Sequence, residues 1–313
     1  MHLLSTLQYR DFYELECLFK LSDEMKTKSS SFVAKDKVMG IITNEGSTRT
    51  RLSFEVAMKR SGGEVVSLDL SDKSSSISKG ETLEDTIKIA SQYVDLLVLR
   101  CSKKIEDLSS YVKIPLINAG DGNGEHPTQA LLDMYTIYQY HRDKMNNLSV
   151  VLVGDLKNSR TVHSLIYLLG LCGNKTKIHL VSPVGLELPD NYYKYLNDKY
   201  IEHFSGNNLS GEIARCNPDI VYMTREQKDR NTDNDSIRSG CGRYPVLGAK
   251  EMSLLSPAAI VMHPLPRCEE IGVELDTDKR SVYFLQAKNG MYIRMALIHN
   301  IFTYNSFYTK KYS

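Results

Sequence analysis

Ser47-Thr48-Arg49-Thr50-Arg51 sets three hydroxyls and two guanidiniums directly ahead of the amphipathic run Leu52–Arg60. A helix start leaves its first backbone N–H groups without helical partners, and its dipole favours negative charge there. An arginine fork matches a phosphate. The stretch therefore suits an anion, although the same residue types also serve as an N-cap with solvated arginines. Three further places carry comparable groups. Ser75 and Lys79 lie in SSSISKGETLEDT, before the next helical pattern. Arg100 closes an apolar strand, where an unpaired guanidinium is rare. His126 and Gln129 follow GDGNGE at another helix start. Together these groups suit a phosphate, although a lysine at such a position is more often solvated and a single histidine more often structural. A nucleotide is not the expected ligand. GxxxxGK[ST] does not occur, and the glycines before His126 lack the strand-to-helix register of a dinucleotide loop.

These groups need a frame that brings distant segments together. Short apolar runs alternate with amphipathic segments, which predicts an α/β fold of parallel sheets flanked by helices. Val38–Thr43, Val65–Leu70, Val94–Arg100 and Ile114–Gly120 read as a first series of strands. A second series starts at Ser149–Leu156 and continues through KIHLVSP, IVYMT and AIVMHPLP. A helix over Thr128–Arg142 separates the two, and the domain junction is expected inside it or just before it. In open parallel sheets ligands bind outside the carboxyl ends of the strands. Ser47–Arg51, Arg100 and His126 follow strands of the first series; Arg160, Arg225 and HPLPR follow strands of the second. The expectation is two similar-sized domains whose polar loops share an active site in the interdomain cleft. Glu226–Tyr244 is polar and too long for a simple connection, which predicts a mobile functional loop. After the hydroxyl-rich stretch, Leu52, Phe54, Val56 and Met58 supply the helix's apolar positions, and Arg51 is expected to pair with Glu55 or Glu45.

The bulk properties bound what such a frame can bind. The chain has 313 residues, 42% hydrophobic and 25% charged, enough for two domains with real cores. A net charge of +1 gives no general field for nucleic acid or anionic membrane, so any anion site is local. No apolar run reaches the ~20 residues of a membrane span, and the first residues lack the apolar core of a secretion signal. Six scattered cysteines without CxxC or zinc spacing predict reduced thiols and a cytoplasmic location.

In chain order, STRTRLSFE, KGETLEDT, HPTQALLD, GDLKNSRTVHSL, YMTREQK and MHPLPR resemble the aspartate and ornithine carbamoyltransferase family over nearly the whole chain. The resemblance implies a carbamoyl-phosphate-binding domain over residues 1–128, completed by a C-terminal helix over 286–313, and an aspartate-binding domain over 129–285. It implies that Ser47, Thr48, Arg49 and Thr50 hold the phosphate, with Arg100 reaching both phosphate and carbonyl oxygen. Thr50 and His126 also donate to that oxygen. Gln129 and the backbone carbonyl of Leu265, between Pro264 and Pro266, hold the carbamoyl NH2. Ser75 and Lys79 come from the neighbouring subunit of a homotrimer. Arg49, Thr50, Lys79, Arg100 and His126 are the implied catalytic groups, with no metal and no cofactor.

The second substrate follows from its charges. Two carboxylates need two cationic anchors, and the family pattern supplies Arg160 and Arg225, supported by Gln227, Lys79 and Leu265. Ornithine would need an acidic partner for its second amine. The Ser-Met-Gly and HCLP motifs of ornithine enzymes are absent, so L-aspartate is expected. The implied activity is carbamoyl transfer to aspartate, in pyrimidine synthesis. Transfer to another amino acid and a non-catalytic subunit of the same fold are the alternatives. Asn44-Glu45-Gly46 before the first motif, Cys101 after Arg100, and QKDRNTDNDSIRSGCGRY depart from the family's common forms. The motifs carry no information on regulatory chains.

Overall fold

The computed structural model describes residues 2–27, 32–71, 76–122, 124–227 and 244–311. The chain divides into two compact units, Met1–Leu131 with Lys288–Ser313, and Leu132–Ala287. Each unit holds its own parallel sheet.

The first unit runs through α1 (Phe12–Thr27), β1 (Val38–Thr43), α2 (Thr48–Arg60), β2 (Glu64–Asp69), α3 (Leu83–Ala90), β3 (Leu96–Cys101), α4 (Ile105–Leu108) and β4 (Leu116–Asp121). The division falls within α5 (Pro127–His141). Strand order is β2-β1-β3-β4. The inner strands β1 and β3 are covered on both faces, which is why they read as unbroken apolar runs. Ile42, Leu97, Leu99, Ile87 and Leu116 share one core cluster, each contributing about 1.5–3 kcal/mol by leaving water. At the edge, β2 leaves Val66 and Leu68 exposed.

Helix α2 buries Thr50, Phe54, Ala57 and Met58, one face at three- to four-residue spacing. Val56 is only half-buried, and Leu52 is 58% exposed. At about 100° per residue, Leu52 is turned roughly 200° from both Thr50 and Phe54, so it cannot share their face.

The second unit contains β5 (Ser149–Val153), α6 (Arg160–Leu169), β6 (Lys177–Val181), α7 (Asp190–Asp198), β7 (Glu202–Gly206), α8 (Leu209–Cys216), β8 (Ile220–Met223), α9 (Ala249–Leu254) and β9 (Ile260–Met262). Its strand order is β7-β6-β5-β8-β9. β5 stops three residues before the predicted end because Gly154, at φ +116, turns the chain. A side chain there would strike the carbonyl of Thr224 and the hydroxyl of Tyr244. Strand β7 was not expected from the sequence. Its residues EHFSG carry one large apolar side chain, Phe204, which stacks on His179 of β6 at 4.9 Å. The long helix α10 (Tyr283–Lys311) ends the chain, and from Lys288 it counts with the first unit. Among the described residues, no helix is long and apolar enough to cross a membrane.

Candidate active site

In the first sheet Thr43 of β1 lies opposite Arg100 of β3, and β4 is the next strand. The turn after β1, the end of β3 and the loop after β4 therefore open at one end of that sheet. Ser47 occupies the N-cap position of α2, yet its side chain makes no capping hydrogen bond. Arg51 pairs one turn along with Glu55, Nε to Oε1 at 2.9 Å. That bond, with a second from Ser67 at 2.7 Å, holds the Glu55 carboxyl below its ordinary pKa. Arg51 is thus committed to α2 and β2. Glu45, the other candidate for Arg51, instead faces Arg100, Oε2 to Nη2 at 3.4 Å.

Arg100 keeps only 12% of its side chain exposed. Its Nη1 lies 3.4 Å from Nε2 of His126 and 3.4 Å from the carbonyl of Ala119. A guanidinium, an imidazole and a carboxylate therefore converge where the first sheet ends. His126 is buried, and the loop that delivers it is stapled. Asp121 accepts the N–H of Glu125 at 2.6 Å and that of Ile105 at 3.2 Å. Glu125 accepts the N–H of Thr6 at 2.8 Å and the hydroxyls of Ser5 and Thr6. Gln129, half-buried, donates its N–H to the His126 carbonyl at 3.0 Å. Arg294 of α10 ties this helix start to α2: it donates to Thr128 at 3.2 Å and lies 4.7 Å over the Phe54 ring.

Thr50 is buried, Ser47 half-buried, and Thr48 and Arg49 exposed. Lys79 closes a short 3-10 turn, Ser76–Lys79, and is exposed; Ser75 lies outside the described residues. Cys101, next to Arg100, is an inert thiol. Burial pushes its pKa up to about 11, and its Sγ bonds the carbonyl of Lys103 at 3.2 Å.

In the second unit Arg160 opens α6 with only 3% exposure. The organising group is Asp155, fully buried after Gly154. Its two carboxylate oxygens take the N–H of Asn158 and of Gln227, each at 3.0 Å. This joins the turn after β5, which leads to Arg160, to the segment after β8 that carries Arg225. Burial raises the Asp155 pKa, with those hydrogen bonds opposing it. Tyr244 completes the tie: its hydroxyl accepts the Asp155 N–H at 2.8 Å and donates to the Thr224 carbonyl at 2.7 Å. Arg225 donates to the carbonyl of Glu226 at 2.8 Å, and Gln227 to that of Arg225 at 3.3 Å. The rest of the predicted functional loop, 228–243, lies outside the described residues.

After β9, Leu265 adopts φ +55, with a cis bond to Pro266. Left-handed backbone costs a non-glycine residue about 1–2 kcal/mol, so something must hold it. The Leu265 N–H donates to Nδ1 of His263 at 2.8 Å. The sequence does not single out Glu45, Asp155 or Glu270 as functional groups, and it marks His263 only as the first residue of HPLPR. Of the three acids, Asp155 alone carries a local signal, an acid directly after a glycine at a strand end. Metal-type donors gather at His179, Glu212 and Cys216, but Arg215 already pairs with the Glu212 carboxylate.

Residues 1–139 match the carbamoyl-P binding domain of aspartate/ornithine carbamoyltransferases, and residues 146–301 match the Asp/Orn binding domain. The chain belongs to the aspartate/ornithine carbamoyltransferase family. Within that family it is 44% identical to the chloroplastic aspartate carbamoyltransferase of Arabidopsis thaliana, over 91% of this chain and 73% of that one. It is also 44% identical to the aspartate carbamoyltransferase catalytic subunit of Clostridium novyi, over 92% and 94%. Aspartate transcarbamoylase from Trypanosoma cruzi, crystallised with carbamoyl aspartate and phosphate, superposes with a TM-score of 0.86 at 35% identity, covering 95% of this chain and 94% of that one.

Proposed function

We propose that this carbamoyltransferase moves the carbamoyl group of carbamoyl phosphate to the α-amino group of L-aspartate, giving N-carbamoyl-L-aspartate and phosphate. The observation that carries the reading is the meeting of Arg100 and His126 at the sheet end where the uncapped start of α2 also opens. Ser47, Thr48, Arg49 and Thr50 hold the phosphate at the first turn of α2, where the helix dipole favours negative charge. Arg100 exchanges Glu45 for the substrate. Attack by the amine forms the C–N bond and puts negative charge on the carbamoyl oxygen, where Thr50, Arg100 and His126 donate. Breaking the C–O bond then releases phosphate, which takes the amine's proton. His126 thus polarises rather than deprotonates. Gln129 and the Leu265 carbonyl hold the carbamoyl NH2, and Arg160, Arg225 and Gln227 hold the aspartate carboxylates.

Incubation with carbamoyl phosphate and L-aspartate is expected to yield ureido product and phosphate in equal amounts, with ornithine and other amino acids inactive as acceptors. No turnover across pH and substrate concentration would sink the reading. Because Asp155 joins the two arginine-bearing segments, Asp155→Ala is expected to lower kcat by about 10²-fold and raise the KM for aspartate. Direct titration should show carbamoyl phosphate binding unchanged. A normal aspartate KM in that variant would refute the positioning role.

The working form is proposed to be a cytoplasmic homotrimer with Ser75 and Lys79 entering the neighbour's site. Exposed Leu52, Val66 and Leu68 support a subunit contact on this unit, and Lys79 is itself exposed. The described cysteines are free thiols, which suits a reducing compartment. Native mass and cell fractionation test these two statements.

A further inference from the structure

The segment after β9 rests on a chain of buried polar groups that the reaction described above does not use. His263 and Glu270 have side chains 1% and 3% exposed, with Nε2 2.8 Å from Oε1. The opposite ring nitrogen, Nδ1, accepts the Leu265 N–H at 2.8 Å. An acceptor at Nδ1 means that the ring proton sits on Nε2, where it donates to Glu270. Glu270 also accepts the Cys268 N–H at 3.0 Å. The backbone of His263 is fixed as well: its N–H donates to Gln286 at 2.9 Å. Gln286 in turn donates to Asp133 at 2.6 Å, and Tyr222 donates to the other oxygen of Asp133 at 2.7 Å. Both ring nitrogens and the main chain of His263 are therefore specified, which is more than packing alone requires.

We propose that His263 is a positioning residue for carbamoyl transfer: with its tautomer set by Glu270, its Nδ1 holds Leu265 left-handed so that the Leu265 carbonyl faces the carbamoyl NH2. The inference rests on the reading that this carbonyl accepts from that NH2. It makes a selective demand on ligands. Carbamoyl phosphate has the NH2 group and inorganic phosphate does not, so loss of the clamp must weaken the first and spare the second.

The test uses the full chain, unmodified and as His263→Leu, His263→Asn and Glu270→Gln. Affinities for carbamoyl phosphate and for inorganic phosphate are measured alongside kcat. His263→Leu is expected to weaken carbamoyl phosphate about 10-fold or more, leave phosphate within about two-fold, and lower kcat about 10²-fold. His263→Asn keeps an acceptor near the Nδ1 position and should recover part of that loss. Glu270→Gln can still accept from Nε2 and should lie nearer the unmodified enzyme. In 15N spectra of histidine-labelled enzyme, His263 should show an unprotonated Nδ1 and a protonated Nε2. Equal losses for both anions, unaltered carbamoyl phosphate binding, or a protonated Nδ1 would each overturn the proposal. If His263→Leu does not fold, the Asn variant and the spectrum of the unmodified enzyme still decide it. Absence of turnover in the unmodified enzyme overturns the assigned reaction itself, a result separate from any variant.

Discussion

Arg49→Ala is expected to lower kcat/KM for carbamoyl phosphate by about 10³-fold or more, since a donor aimed at developing charge is worth roughly 3–4 kcal/mol and Arg49 also binds the ground-state phosphate. The thermal midpoint should scarcely move. Arg49 is exposed on the first turn of α2, and surface substitutions of that kind stay within about 0.5 kcal/mol. Arg51→Ala is the matched control. Its guanidinium is held by Glu55 on the same helix, an exposed pair worth about 0.3–0.5 kcal/mol, so a small loss of stability and near-normal turnover are expected. The two arginines stand two residues apart in one motif, which makes the comparison a direct test of capping against catalysis. Equal effects from both substitutions would mean that the motif serves the helix rather than the phosphate.

The frame of these loops was legible because parallel strands covered on both faces announce themselves. β1 keeps its expected bounds Val38–Thr43 to the residue, and the inner strands of both sheets differ from expectation only at their ends. β7 failed for the converse reason. An edge strand with one large apolar side chain has no pattern to detect, and pairing with β6 decides it. The site divides along a similar line. Arginines, a histidine and hydroxyls after apolar strands stand out by type, whereas the groups that orient them are ordinary acids in ordinary places. The sequence offers Glu45 only as a partner for Arg51, because nothing local says that Arg100, 55 positions on by the numbering, returns beside it. Asp155 and Glu270 owe their importance to burial, which a single sequence does not display. The exposed side of α2 is hidden by the same cause. By type Leu52 is a core position, and the helix's rotation turns it outward.

Mixing inactive Arg49→Ala enzyme with inactive Lys79→Ala enzyme is expected to restore activity after subunit exchange. In the proposed trimer each site takes Arg49 from one subunit and Lys79 from the next. A mixed ring of either composition, two copies of one variant and one of the other, then contains one site with both residues intact. Random re-association of equal amounts makes about three quarters of the rings mixed with one working site in three, so recovery should reach about a quarter of normal specific activity. The measurement needs only turnover and a native mass, and it reads the assembly through the chemistry. If Lys79 acted on the site of its own chain, every intact site would require an unmodified subunit. No mixture would then rise above the parents, and exposed Lys79 would have to be assigned to the surface.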